Sequence, residues 1–169
     1  MNAIPAYEIV PDSPEHADAV EALYDDVFGP GRFAKTAERL REGNSKIPEA
    51  SLVAVDAEGV TGVVRVWPVT VGGKDRAAFL GPIAVAERRR GNGVAFKLME
   101  RAIGVCREQG YAAVILVGDQ DYYERFGFKR AGAGRLKART ASCPRRFSTA
   151  TAILGSNVTP IPAPTICTS

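Results

Sequence analysis

Histidine and cysteine are scarce in this 169-residue chain: there is one of the first and three of the second. Cys106, Cys143 and Cys167 make no CxxC pair. So odd and scattered a set excludes a disulfide framework or a zinc site and suits the reduced thiols of a cytoplasmic protein. Long apolar runs are missing as well. No stretch reaches the length of a bilayer span, and the start, "MNAIPAYEIV", lacks the basic region and apolar run of a signal peptide. Neither sign of charge dominates, and a net charge of +3 gives no argument for nucleic acid. What is present is ordinary: 46% hydrophobic and 24% charged residues, as in a globular domain with a full-sized core.

The order of elements is more informative. "AYEIVP", residues 6–11, reads as a first strand. "SPEHADAVEALYDDVFG" follows as a helix, with Ser13 as N-cap, Pro14 in the first turn and Gly29-Pro30 at its end. "GRFAKTAERLREGN" suggests a second, shorter helix. "SLVAVD" and "VTGVVRVWPVTV" form a hairpin around "AEG". "AAFLGPIAV", residues 77–85, is apolar almost throughout, as a strand buried on both faces would be. Gly81-Pro82 interrupts it, and proline cannot donate to a ladder, so a bulge or a separation from a neighbour is expected there. Residues 93–109 form an amphipathic helix with Ala95, Leu98, Met99, Ala102 and Cys106 on one face. "AAVILVG" then reads as a second buried strand, parallel to the first. A short helix "DQDYYERF", a strand "FGFKRA" and a last strand "FSTATAIL" complete the domain, taken as residues 1–154. Residues 155–169, rich in Pro, Thr and Ser, read as an extended tail.

Between the buried strand and the amphipathic helix stands "RRRGNGVA", residues 88–95. Helix-start N–H groups have no intrahelical partner, the helix dipole adds positive charge, and glycines let a ligand approach the main chain. This is an anion site suited to phosphate or pyrophosphate, with Arg88, Arg89 and Arg90 as mobile charge around it. A P-loop does not fit, and a dinucleotide GxGxxG fails at Phe96. The pattern that is met is R-x-x-G-x-A, at Arg90, Gly93 and Ala95.

In this loop, in "LGPIAVAERRRGNGVAFKLMERA" around it and in "YYERFGF" further on, the chain resembles the GNAT superfamily of acyl-CoA-dependent N-acyltransferases, over roughly residues 6 to 131. The resemblance implies an α/β (α+β) fold, a mixed and mostly antiparallel sheet with a central parallel strand pair that splays, flanked by helices. It implies acetyl-CoA as co-substrate, with Arg90, Gly91, Asn92, Gly93, Val94 and Ala95 as the pyrophosphate loop. Ile83, Ala84 and Val85 would be main chain that pairs with the pantetheine arm like an added strand. It implies direct attack by an amine in a ternary complex, with Tyr123 as the general acid that protonates the leaving thiolate. Tyr122, four residues before Phe126, is assigned to packing. No metal is implied.

The general base is not evident. His16 reads as solvated, and Asp119 is a candidate base whose simpler role is N-cap of the short helix. The acceptor is an amine on a small molecule or a protein, and "FGPGRF" and Trp67 are candidates for its pocket. A homodimer is compatible with the sequence, and a membrane partner is not indicated. From residue 125 onward no acidic residue occurs, while Lys129, Arg130, Arg135, Lys137, Arg139, Arg145 and Arg146 do; a solvated basic loop before the last strand is the simplest reading. The competing class is a non-catalytic acyl-CoA-binding or interaction module on the same fold.

Overall fold

The structure is a computed structural model and describes residues 6–29, 41, 43–71, 75–130, 138–139 and 153–155. Residues 31–40 and 42 of the expected helix over 31–44, most of "FGPGRF" and the expected tail beyond Gly155 lie outside the described residues, while residues 41, 43 and 44 are not helical and Gly155 belongs to the last strand.

Strand β1 (Glu8–Pro11) opens the chain. Ser13 and His16 then form a capping box: the Ser13 N–H donates to His16 Nδ1 at 3.2 Å, so the only histidine is a half-buried part of a helix start and not a solvated side chain. Helix α1 (Ala17–Phe28) ends at Gly29, as its glycine-proline punctuation predicts. Strands β2 (Leu52–Asp56) and β3 (Gly59–Val71) make the hairpin, and β4 (Asp75–Val85) returns along β3. Helix α2 (Val94–Glu108) crosses to β5 (Ala113–Leu116), which pairs with β4 in parallel. Helix α3 (Gln120–Glu124), β6 (Phe128–Arg130), β7 (Ala138–Arg139) and β8 (Ile153–Gly155) follow.

The strands form one sheet in the order β1-β2-β3-β4-β5-β8-β6, and its other described pairings are antiparallel. β7 pairs with the end of β3, Thr70 against Arg139 and Val71 against Ala138. The basic segment expected to be all loop thus contributes a sheet edge; two residues are too few to show the alternation by which a strand is read.

Alternation of side chains along β2 and β3 sends one set to each helix layer. Val53, Val63 and Ala84 pack against Val20, Leu23 and Tyr24 of α1. On the other face Leu52, Val64 and Leu116 pack against Leu98, Met99 and Cys106 of α2. Gly62 lets α2 sit close: a Cβ there would lie 2.8 Å from Val94 Cγ1 and 3.0 Å from Leu98 Cδ1. The start of α2 is thereby fixed directly over β3. Burial pushes the Cys106 thiol up to about 12, so it is an inert core residue. No helix among the described residues is long and apolar enough to cross a membrane.

Candidate active site

β4 and β5 run together through Ala77–Ala113, Ala78–Val114 and Phe79–Ile115, and there the pairing stops. β4 continues to Val85, paired among the described residues only with β3. Gly81 and Pro82, joined by a cis peptide bond, form the bulge. Val64 faces Ile83 and Val66 faces Leu80, so two β4 residues oppose the single Arg65. Two side chains from the α1 face satisfy the bulge carbonyls: Trp67 Nε1 donates to Gly81 O at 2.8 Å, and the Tyr24 hydroxyl to Pro82 O at 3.4 Å. Trp67, expected in an acceptor pocket, is therefore tied by its polar atom to the bulge itself.

Beyond the bulge the direction of the main chain matters. The Ala86 N–H donates to Thr61 O of β3 at 2.9 Å. Amides alternate sides along an antiparallel strand, so Ala84 also turns to β3, while Ile83 and Val85 turn theirs to the side β5 has left. Of the three residues expected to meet a pantetheine arm, Ile83 and Val85 present main-chain polar groups to the gap. Ala84 does not, and its side chain is buried against α1.

The strand leads into a 3₁₀ turn, Glu87–Arg89, and then the glycine turn. Gly91 and Gly93 have φ of 81° and 75°, and Gly93 is the N-cap of α2. A Cβ at either would meet nothing within 4 Å, so it is the positive φ that calls for glycine, and the space above the loop is open. The N–H groups of Val94, Ala95 and Phe96 begin the helix with no intrahelical acceptor.

The three arginines behave differently from one another. Arg88 grips Asp56 with two bonds, Nη1 to Oδ2 at 2.6 Å and Nη2 to Oδ1 at 3.0 Å. Arg89, only 4% exposed, holds the same carboxylate through Nε at 2.7 Å. These are fixed charges, not the mobile ones expected from the sequence, because both are held by one buried carboxylate at the end of β2. The bonds from Arg88, and then those from Arg89, hold the Asp56 carboxyl well below the usual carboxylate range despite its burial. Arg90 is exposed and makes no ion pair among the described residues. Asp56 escaped the sequence reading because it lies 32 residues before Arg88, with nothing local to link them.

α3 stands over the end of β5. Asp119 caps it, its Oδ1 accepting from the Asp121 N–H at 2.9 Å and the Tyr122 N–H at 3.4 Å. The Tyr123 ring lies on Gly118 so closely that a Cβ there would be 2.2 Å from Cε2. Tyr123 packs against the same core cluster as Ile83 and Val85, and burial raises its phenol above the ordinary value. Tyr122 does meet Phe126, with ring centroids 5.9 Å apart, but it is 36% exposed and lies at the surface rather than in the core. The helix is too short to bury two successive positions, and Tyr123 takes the inner one.

Comparison with known proteins gives the family and the fold. The model of the Acetyltransferase (GNAT) family matches residues 17–128. The uncharacterized N-acetyltransferase YhbS of Escherichia coli (strain K12) is 38% identical over 128 residues, 75% of each chain. The crystal structure of the Escherichia coli YhbS in complex with CoA superposes with a TM-score of 0.71 at 32% identity, covering 92% of this chain and 83% of that one. A GNAT acetyltransferase of Brucella melitensis, solved with acetyl-CoA, gives a TM-score of 0.63 at 24% identity, over 88% of this chain and 95% of that one, and shares the fold. An open strand edge, a glycine turn at a helix start and a tyrosine above the parallel pair thus occur in a chain that belongs to the GNAT acetyltransferase family.

Proposed function

We propose that the protein transfers acetyl from acetyl-CoA directly to an amine, with the gap between β4 and β5 as the site of transfer. The observation that carries this reading is the loss of β4–β5 pairing beyond Phe79, with the unpaired edge leading straight into the glycine turn. The CoA held by YhbS, 32% identical, supports carrying that ligand over. Ile83 and Val85 would bond the pantetheine arm, and residues 90–95 would hold the pyrophosphate with main-chain N–H groups, Arg90 adding charge.

Tyr123 would be the general acid. The amine nitrogen bonds to the thioester carbon, the C–S bond breaks, the phenol gives its proton to the sulfur, and solvent, which takes the amine's proton, returns one to the phenolate. Burial raises a phenol, which by itself makes it a poorer acid. The same burial raises a thiol, as at Cys106, so donor and acceptor stay matched in a desolvated gap. Asp119 acts as a cap, and the amine's proton is assigned to solvent and not to Asp119 as base. The described core and the family match fit a single catalytic domain over residues 1–154, and the cysteine usage fits a cytoplasmic setting.

A panel of amines scored for CoA thiol release tests the proposal. Release with at least one amine is expected. Tight binding of acetyl-CoA with no release across small amines and peptides would favour the binding module instead.

A further inference from the structure

Three large apolar side chains among the described residues are markedly exposed: Phe96, Val117 and Tyr122 at 46%, 46% and 36%. Two of them belong to one strip. Phe96 lies in the first turn of α2, and its ring packs on Phe126 at 5.2 Å with an interplanar angle of 31°. Phe126 meets Tyr122 at 5.9 Å, and the exposed Arg125 guanidinium stands over the Tyr122 ring at 4.5 Å. Four flat groups thus run in series from the glycine turn to the far side of α3, half open to solvent.

Core packing does not account for this. Phe96 faces away from the Leu98–Met99 side of α2 that meets the sheet. Its neighbour Lys97 is also exposed, and Arg90 is exposed at the turn. Planar faces edged by cations suit a ligand that is planar and anionic at once. The position narrows the choice: Phe96 is ~4.5 Å along the helix axis from Gly93, a distance one nucleoside covers from a phosphate held at the turn.

We propose that the Phe96–Phe126–Tyr122 strip is a stacking platform for the purine of CoA, with Arg125 beside it for the nucleotide's own phosphate. This rests on the proposed acetyl-CoA site but does not follow from it, since pantetheine and pyrophosphate can be held by main chain alone. Stacking on an aromatic ring needs no hydrogen-bond code, which fits a strip lined by rings and a guanidinium.

Calorimetric titration with two probes tests the platform: CoA, and phosphopantetheine, which lacks the adenosine. Phe96→Ala is expected to raise the Kd for CoA roughly 5- to 150-fold, the usual worth of one base on one ring. Its Kd for phosphopantetheine should match the wild type, and Phe96→Tyr, which keeps a ring, should bind CoA normally. Equal losses for both probes would mean that the substitution disturbs the turn, and would overturn the platform while leaving the CoA site standing. No loss for CoA would overturn it too, as would a wild-type dimer that Phe96→Ala dissociates, since the strip would then cover a second copy. Wild-type protein that binds neither probe would instead remove the acetyl-CoA site itself.

Discussion

The gap at the edge of β4, with its glycine turn, and the ion network on the α1 side of the sheet are built from different materials. The first is main chain: unpaired edge groups at Ile83 and Val85, positive φ at Gly91 and Gly93, free N–H groups at a helix start. The second is side chains. Asp12, with its side chain fully buried, accepts from Lys46 and from Arg65 Nε at 2.8 Å, and Arg65 reaches on to Glu21 at 3.1 Å. Burial alone would raise the Asp12 carboxyl, but the bonds from Lys46 and Arg65 prevail and hold it below its ordinary value. A main-chain site can bind a ligand whose form is constant, while a network of side chains fixes the position of what surrounds it. Substitutions in the first should therefore change binding or rate, and those in the second should change stability.

The largest effect is expected at Tyr123. Tyr123→Phe removes only the proton donor, and kcat should fall by ~10²–10⁴-fold under conditions where thiol departure is limiting. Acetyl-CoA affinity should barely change. Because burial raises the phenol, the wild-type rate should show no alkaline loss from this group below about pH 10. Gly93→Asp should come next. A carboxylate over the turn opposes pyrophosphate, and like charges brought together cost several kcal/mol, so CoA affinity should drop roughly 100-fold by titration. The fold should lose only ~1–2 kcal/mol, for a side chain at positive φ.

Asp12→Ala should show the opposite division. It leaves Arg65 and Lys46 without their shared partner, which costs about 3 kcal/mol in denaturant melts, with CoA affinity unchanged in the folded fraction. Equal damage to binding would break the division between the two regions. Acidification should repeat the result more gently. Asp12 and Asp56 both titrate below the unfolded carboxylate value, so their stabilisation is complete above about pH 4 and is lost as pH falls further. Melting temperature against pH should be flatter below pH 4 in Asp12→Ala. Smallest is Trp67→Phe, which leaves the Gly81 carbonyl without its donor and should cost about 1 kcal/mol of stability.

The same division explains what could be read from the sequence. Gly81-Pro82 and Gly91–Gly93 punctuate one continuous stretch, so the bulge, the turn and the helix they introduce were legible from residue types alone. Asp119 and Gly29 declared themselves by their positions at helix ends. The Asp12–Lys46–Arg65–Glu21 network draws on four separate segments, and the Asp56 grip on Arg88 and Arg89 spans a hairpin. No local period marks either. Charge was visible at residues 88–90, but whether it was free or held depended on a partner that only the fold supplies.

Amide hydrogen exchange with and without saturating acetyl-CoA tests the central claim, that the unpaired edge of β4 and the glycine turn form one acetyl-CoA site. The account predicts added protection at Ile83, at Val85 and across residues 91–96. It predicts none at Ala84, already bonded within the sheet, or along β1 and β2. Protection confined to other segments, or binding that leaves Ile83, Val85 and the turn unchanged, would contradict it.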